Sequence, residues 1–204
     1  GFNSVSIISG GYKAYRRHVL KTFDIPFNLK IVGGYSGSGK TLVIGQLKSN
    51  GFQAIDLENM ARHKGSAFGA IGQQPQPTEE QFENNLFDAW RSLDYSKPIW
   101  LEDESFNIGG VNLPKNLFDQ MRNSDVYFLD IPKEERARHL VTEYVNAPAD
   151  LLIQSINRLT KRLGGQNTKD ALRFLDEKKH FEVALLTLSY YDKSYLKGMR
   201  FHDE

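Results

Sequence analysis

A phosphate-binding pattern, G-x-x-x-x-G-K-T, constrains the fold of this chain more than any other feature. It follows an apolar segment at residues 29–32, which predicts a strand, and consists of Gly34, Tyr35, Ser36, Gly37, Ser38, Gly39, Lys40 and Thr41. The glycines let consecutive backbone N–H groups converge on phosphate oxygens, Lys40 can reach the outer phosphates, and the Thr41 hydroxyl can bind Mg²⁺. A helix beginning at this loop adds the positive end of its dipole. The pattern therefore predicts a di- or triphosphate site in which Lys40 also has a catalytic role.

Strand and helix patterns alternate after this loop. Such alternation predicts an α/β fold of the P-loop NTPase type, in which helices flank a parallel sheet. From Pro148 onward only helical periodicity remains, which predicts an all-helical C-terminal segment. We therefore expect a linker from a missing upstream domain at residues 1–24, a P-loop core at 25–146 and a helical segment at 147–204. The predicted strands are residues 52–57, 98–101 and 126–131, and the predicted helices of the core run from the loop to Asn50 and over 78–93, 114–121 and 132–144.

Composition excludes several classes of protein. The 204 residues include no cysteine, so disulfides, thiolate metal sites and sulfur nucleophiles are excluded. No apolar run approaches the length of a membrane span, and no charged and then apolar leader opens the chain. We therefore expect a cytoplasmic protein that makes no contact with a membrane.

A net charge of +1 confines any nucleic-acid contact to local basic clusters. Each cluster taken alone is more often a solvated surface than a binding site. The cluster nearest the N-terminus, which also contains Tyr12 and Tyr15, is the stronger candidate. Its tyrosines could stack on unpaired bases while its arginines bind phosphates. The candidate tRNA-binding residues are Lys13, Arg16 and Arg17 in the first cluster and Arg62, His63 and Lys64 in the second, and a third cluster contains Arg158, Lys161 and Arg162.

Acidic residues follow two of the predicted strands. Glu102, Asp103 and Glu104 come after an apolar strand, where P-loop proteins place a carboxylate that holds Mg²⁺ or positions water. Glu102 and Asp103 are candidate metal ligands and Glu104 is a candidate catalytic acid; alternation along a strand puts Glu102 and Glu104 on one face and Asp103 on the other. Asp56, after the second strand, could serve as a catalytic base or equally as a helix N-cap.

Several longer motifs resemble the tRNA 2-selenouridine synthase family. They recur in the family's order across most of the chain, and only the phosphate-binding loop among them is generic. The motifs are G-G-Y-K-A-Y-R-R at residues 10–17, G-S-G-K-T at 37–41, D-L-E at 56–58, H-K-G-S-A-F-G at 63–69, F-E-N at 82–84, E-D-E-S at 102–105 with I-G at 108–109, and Y-Y-D at 190–192.

The resemblance implies an enzyme with an N-terminal rhodanese-like domain and a C-terminal P-loop domain that acts on wobble 2-thiouridine of tRNA. In that family the base is first geranylated on sulfur from geranyl diphosphate, and selenium from selenophosphate then replaces the geranylthio group. The rhodanese-like part, with its catalytic cysteine, is missing from this sequence, so it would act in cis or in trans. The implied ligands of the P-loop domain are Mg²⁺ and either geranyl diphosphate or a nucleotide, ATP or GTP.

Two other functions are compatible with the residues. In an ATP-dependent small-molecule kinase, Asp56 would act as the base, and arginines of a late helix would clamp the transferred phosphoryl group. In a tRNA-binding module, the phosphate-binding loop would be a regulatory nucleotide site, and the basic clusters would carry the function.

Overall fold

A four-stranded parallel sheet with strand order β2-β3-β1-β6 forms the centre of the computed structural model, which describes the backbone of residues 4–199 and the side chains of residues 4–196. A short antiparallel hairpin, β4-β5, follows β3. The strands are β1 (Leu29–Gly34), β2 (Ala54–Ile55), β3 (Ile99–Glu102), β4 (Asn107–Ile108), β5 (Val111–Asn112) and β6 (Asp125–Leu129).

Helices cover the sheet and make up the C-terminal part of the described chain. This arrangement confirms the predicted fold class, a parallel sheet flanked by helices with a helical segment after it. The helices are α1 (Gly11–Thr22), α2 (Lys40–Ser49), α3 (Leu57–Ala61), α4 (Glu79–Trp90), α5 (Lys115–Arg122), α6 (Lys133–Tyr144), α7 (Ala149–Arg158), α8 (Thr160–Leu163), α9 (Gly165–Asp176) and α10 (His180–Met199).

Strand β1 lies in the middle of the sheet because it pairs with β3 on one side and β6 on the other. Its residues alternate between two hydrophobic clusters. Ile31 packs with α1, α4 and α5 in the largest cluster, whereas Val32 packs with Ile44 of α2 on the opposite face. Full burial of one large apolar side chain contributes about 1.5–3 kcal/mol. The core therefore fixes the carboxyl end of β1, where the phosphate-binding loop begins.

Local sequence signals set several element boundaries correctly. The Thr78 hydroxyl accepts a hydrogen bond from the Gln81 N–H at 3.2 Å and caps α4. The reciprocal half of the capping box is not formed, because the Gln81 side chain donates to Asn85 instead. Pro132 precedes α6 as predicted. Proline is tolerated there because the first N–H groups of a helix have no partner inside the helix.

The second strand was predicted with the wrong extent. Only Ala54 and Ile55 pair with β3, and Leu57 already begins α3. Asp56 causes this early end, since its carboxylate accepts the Asn59 N–H at 2.8 Å and caps the helix.

Helix α1 lies inside the segment predicted to be a linker. Val19 and Phe23, at its C-terminal end, are fully buried in the largest hydrophobic cluster. The structure does not describe residues 1–3 and 200–204. The outer ends of the predicted linker, 1–24, and of the predicted helical segment, 147–204, therefore lie outside the described residues.

The helical segment packs through its own hydrophobic cluster. Leu152, Leu175 and Val183 bring α7, α9 and α10 together, and Ile71 of the long loop before α4 joins them. None of the helices in the described part of the chain has the length and apolarity needed to cross a bilayer.

Candidate functional site

The phosphate-binding loop connects β1 to α2 as predicted. Gly37 and Gly39 adopt φ values of 78° and 84°, which side chains with a Cβ rarely adopt. A Cβ on Gly37 would also lie only 3.1 Å from the Arg136 carbonyl oxygen. Helix α2 begins at Lys40, and no side chain caps its N-terminus. The first N–H groups of α2 are therefore available to an anion.

Two side chains of the loop lie where a phosphate ligand needs them. The Lys40 ammonium is 3.4 Å from the Gly34 carbonyl oxygen, a contact that a phosphate could easily replace. The Thr41 hydroxyl donates to a Glu58 carboxylate oxygen at 2.8 Å. The Ser38 hydroxyl is buried and has no hydrogen-bond partner among the described residues. The loop therefore has unused donors at its centre.

The carboxylates of four residues lie together beside the phosphate-binding loop, those of Asp56, Glu58, Glu102 and Glu104. Glu102 is fully buried at the end of β3 and accepts the Glu58 N–H at 2.8 Å. Burial, with the negative charges of Glu58 and Asp56, raises the pKa of Glu102 to about 9. Burial also raises the pKa of Glu104 to about 8 and raises that of Glu58, although the Lys40 charge opposes both shifts. If all four carboxyl groups were ionised, their negative charge would exceed what Lys40 alone could compensate, so the folded cluster retains protons.

Asp103 faces away from this cluster, as strand alternation predicted. It forms an ion pair with Arg122 and accepts the Tyr195 hydroxyl at 2.7 Å. The metal role predicted for Asp103 is therefore not supported by its position, since its carboxylate is already paired. Glu58, which follows Asp56 by two residues, takes the place beside Thr41 instead.

The residues around Thr41 fit a magnesium ion. One Glu102 carboxylate oxygen is buried and has no partner among the described residues, and Glu58 already contacts the Thr41 hydroxyl. Within residues 4–196, no three His, Asp or Glu side chains converge closely enough to hold an ion by themselves. Mg²⁺ suits such a site, because it is usually bound by one or two carboxylates together with waters and substrate phosphates.

Arg136 of α6 ties the C-terminal helix to the phosphate-binding loop. Its guanidinium is buried and binds both carboxylate oxygens of Asp192 at 2.8 and 2.9 Å. It also donates to the Ser36 carbonyl at 3.1 Å and lies 4.9 Å from the centre of the Tyr35 ring. Arg136 is therefore a structural residue, and the clamp role considered for lid arginines does not fit its buried position.

The basic clusters have different surroundings. Arg16 is mostly buried against α4, where it pairs with Glu83 and donates to Asn84 at 2.6 Å, whereas Lys13 and Arg17 are exposed. In the second cluster, Arg62 is exposed, His63 is half-buried and Lys64 pairs with Glu143. Arg16 is therefore not available to a tRNA phosphate in this structure.

A cavity of about 1290 Å³ joins the loop to the helical segment. Polar groups from the loop and from Glu58 and Glu104 line one part of it. The long loop and the helices α6, α7, α9 and α10 add apolar and aromatic side chains to the lining, among them Phe68, Leu140, Val141, Tyr144, Leu152, Leu175, Val183, Ala184, Tyr190 and Tyr191. The cavity therefore suits a ligand with a charged head and an apolar body.

The comparisons with known proteins agree with this arrangement. The family model described as the tRNA 2-selenouridine synthase AAA domain matches residues 27–203. The chain belongs to this family. No solved structure matches it.

Relatives of the chain carry the same family name. Proteins named tRNA 2-selenouridine synthase from Shewanella sediminis, Shewanella loihica and Shewanella frigidimarina are 34%, 36% and 34% identical to it. Each alignment covers 94% of this chain but only 60%, 59% and 60% of the respective relative. The chain therefore spans about three fifths of the length of these synthases.

The sequence does not predict two long-range contacts that the Y-Y-D motif makes in the structure. The Tyr191 hydroxyl accepts the Ala67 N–H at 2.9 Å, and Asp192 binds Arg136. The motif itself was visible, but nothing in its spacing identified partners that lie 124 and 56 residues away.

Proposed function

We propose that the phosphate-binding loop holds the diphosphate of geranyl diphosphate during S-geranylation of 2-thiouridine in tRNA. The observation that carries this proposal is the single cavity that joins the loop to apolar side chains of the helical segment. A nucleotide would use the same loop but would have no need of a long apolar compartment. The names of the relatives support a role in tRNA 2-selenouridine synthesis.

In the proposed reaction, the sulfur of 2-thiouridine forms a bond to C1 of the geranyl group. The C1–O bond breaks, diphosphate leaves with the bonding electrons, and the base releases its N3 proton. The N–H groups of the loop and the Lys40 ammonium would stabilise the negative charge that develops on the leaving group. Thr41 and Glu58 would hold Mg²⁺, which when bound adds positive charge at the diphosphate.

The apolar part of the cavity would hold the geranyl chain. Phe68, in the long loop before α4, lines it. Ile71 does not line the cavity but packs beneath it against Leu152 and Ile156. Each CH₂ group moved from water into such surroundings contributes about 0.8 kcal/mol. A prenyl group should therefore bind more tightly the more of its carbon chain the cavity buries.

The second half of the reaction is assigned to the complete enzyme. We propose that the selenium of selenophosphate then forms a bond to C2 of the base as the C2–S bond breaks and geranylthiol leaves, and that water cleaves the Se–P bond to release phosphate. A rhodanese-like domain would act in this step in cis or in trans, in the cytoplasm. The share of the relatives that this chain does not cover is large enough for such a domain.

The kinase alternative finds less support in the structure. It requires Asp56 as a free base, but this carboxylate caps α3 through the Asn59 N–H. Asp56 does line the cavity, so phosphoryl transfer is tested together with ligand binding.

Calorimetric titration with geranyl diphosphate, ATP and GTP in the presence of Mg²⁺ tests the proposal. We expect geranyl diphosphate to bind more tightly than either nucleotide, and Lys40→Ala to weaken this binding about 10- to 100-fold, as for loss of a hydrogen bond to a charged group. Lys48→Ala, at the exposed end of the same helix, is the matched control and should bind like the unmodified chain. Tight ATP binding without prenyl diphosphate binding, or phosphoryl transfer to a small acceptor, would contradict the proposal.

A further inference from the structure

Two basic segments that are far apart in sequence meet beside the cavity. The loop that carries His63 and Lys64 packs on α7 through Ile71, which contacts the cluster of Leu152 and Ile156. Burial lowers the pKa of the His63 imidazole, and the charge of Arg158, at the end of α7, acts in the same direction. We define the basic rim as Lys64, Arg158 and Arg162.

Two of the three residues of the basic rim border the cavity, and Arg158 lies four residues before one of them. Lys64 and Arg162 both line the cavity. The Arg162 guanidinium lies 6.0 Å from the centre of the Tyr190 ring, and Tyr190 lies 5.0 Å from Tyr191 between ring centres. A cation beside aromatic rings that line a cavity is an arrangement in which the cation can hold a backbone phosphate while a ring face receives an unstacked base.

Most of the positive charge of the basic rim is available to bind an anion. Arg158 and Arg162 are exposed, and neither forms a salt bridge with another residue in the described part of the chain. Lys64 differs, because its charge is shared with Glu143. Arg158 and Arg162 are therefore the residues of the rim best able to bind phosphate.

The N-terminal basic cluster lacks these properties. Its central residue, Arg16, is paired with Glu83, and neither Lys13 nor Arg17 lines the cavity. A base must leave its stack to enter a cavity of this kind, which costs least in a single strand, and its flanking phosphates must then lie at the opening. This requirement favours the rim over the surface of α1.

We propose that the basic rim binds the backbone phosphates of a single-stranded RNA loop and directs its target base past Tyr190 into the cavity. The proposal rests on the proposed function, since it places the base beside the ligand of the phosphate-binding loop. It adds which surface of the chain the RNA contacts, and it assigns the contact to Arg158 and Arg162.

The test measures binding of a fluorescently labelled anticodon stem-loop RNA with wobble 2-thiouridine over a range of salt concentrations. We expect the double variant Arg158→Glu, Arg162→Glu to lose affinity about tenfold or more. The salt dependence should also weaken, because each lost contact with a single strand lowers the slope of log K against log salt by about 0.7. Lys13→Glu with Arg17→Glu changes the net charge equally and is the matched control, expected to retain affinity.

Pyrophosphate binding to each variant separates this proposal from the proposed function. Pyrophosphate affinity should be unchanged in the rim variant, and this result would show that the phosphate-binding loop remains folded. If the glutamate variant unfolds, the double variant Arg158→Gln, Arg162→Gln replaces it. Equal losses in both double variants, a loss only in the Lys13 and Arg17 variant, or no loss in either would overturn the rim proposal. A chain that binds RNA through the rim but binds no prenyl diphosphate would contradict only the geranylation proposal.

Discussion

Arg136→Ala is expected to destabilise the protein by about 3–5 kcal/mol, the cost of removing one partner of a buried ion pair. The substitution leaves the Asp192 carboxylate without its bidentate partner and removes the donors to the Ser36 and Ile131 carbonyls. This loss is a large part of the total stability of a typical domain, about 5–15 kcal/mol. Urea denaturation followed by circular dichroism measures it.

Arg138→Ala provides the control for this prediction. Arg138 lies in the same helix but is exposed; its guanidinium pairs with Glu135 one turn away and lies 5.8 Å from the centre of the Phe181 ring. Exposed pairs of this kind contribute little, so the control should unfold close to the unmodified chain. Arg136→Lys should remain strongly destabilised, because an ammonium cannot reproduce the bidentate geometry. The expected loss in the free energy of unfolding of Arg136→Ala is about 3–5 kcal/mol. A loss of less than about 1 kcal/mol would show that the pair does not connect α10 to the loop.

The double variant Arg136→Ala, Asp192→Ala tests whether the two residues act as one unit. Removing both partners leaves no uncompensated buried charge, so the two destabilisations should not add. The double variant is expected to be no less stable than Arg136→Ala alone. Full additivity would mean that the two side chains stabilise the fold through separate contacts.

Elements set by local signals were predicted well from the sequence. The glycines of residues 34–41, the Thr78 cap and Pro132 each act within a few residues of the boundary they determine. The opposite faces of Glu102 and Asp103 also follow from local strand geometry, and the structure confirms them. These features could be predicted because their causes lie next to them in the chain.

Other features depend on residues that only the fold brings together. The sequence predicts an end of β2 that is too late, because Asp56 could be either a catalytic base or a helix cap. In the structure Asp56 caps α3, so the strand ends before it. The burial of Arg16 requires Glu83, which lies 67 residues away. The helical pattern of α1 was missed because its apolar contacts at Tyr15, Val19 and Phe23 are separated by charged residues.

The carboxylate cluster predicts that the ligand-free protein loses stability as pH rises from 7 to 8.5. In the folded state the pKa of Glu102 is raised to about 9, against 4.5 in the unfolded chain. Between these values the folded state retains a proton that the unfolded state has released, so unfolding releases it and higher pH favours unfolding. Each such proton contributes a slope of about 1.4 kcal/mol per pH unit. The contribution is fully present below 4.5 and is lost as pH passes about 9.

The pH window is chosen to isolate these carboxylates. The pKa of His63 is lowered by burial, so this residue has the opposite effect, but unfolded histidine has largely lost its proton above pH 7. Burial raises the pKa of Tyr144, Tyr191 and Tyr195 above the usual value of 10, which lies outside the window. The groups that face Glu102 are Glu58, Asp56 and Glu104, and Lys40 in turn faces Glu58 and Glu104.

Glu102→Gln should reduce this pH dependence, because glutamine carries no titrating proton at that position. Glu134→Gln, on the exposed first turn of α6, is the control and should leave the slope unchanged. The measurement is urea denaturation in the presence of a chelator at several pH values from 7 to 8.5. An unchanged slope in Glu102→Gln would contradict the assignment of the retained proton to this cluster.

Adding Mg²⁺ with pyrophosphate should also flatten the slope, since a cation beside Thr41 and Glu58 favours the ionised carboxylates. The ligand then stabilises the folded state more strongly at pH 8.5 than at pH 7, because fewer protons must be displaced on binding. Pyrophosphate alone should not reproduce this effect, because it adds negative charge without a cation. A stabilisation by Mg²⁺ and pyrophosphate that is independent of pH would place the ion away from these four carboxylates.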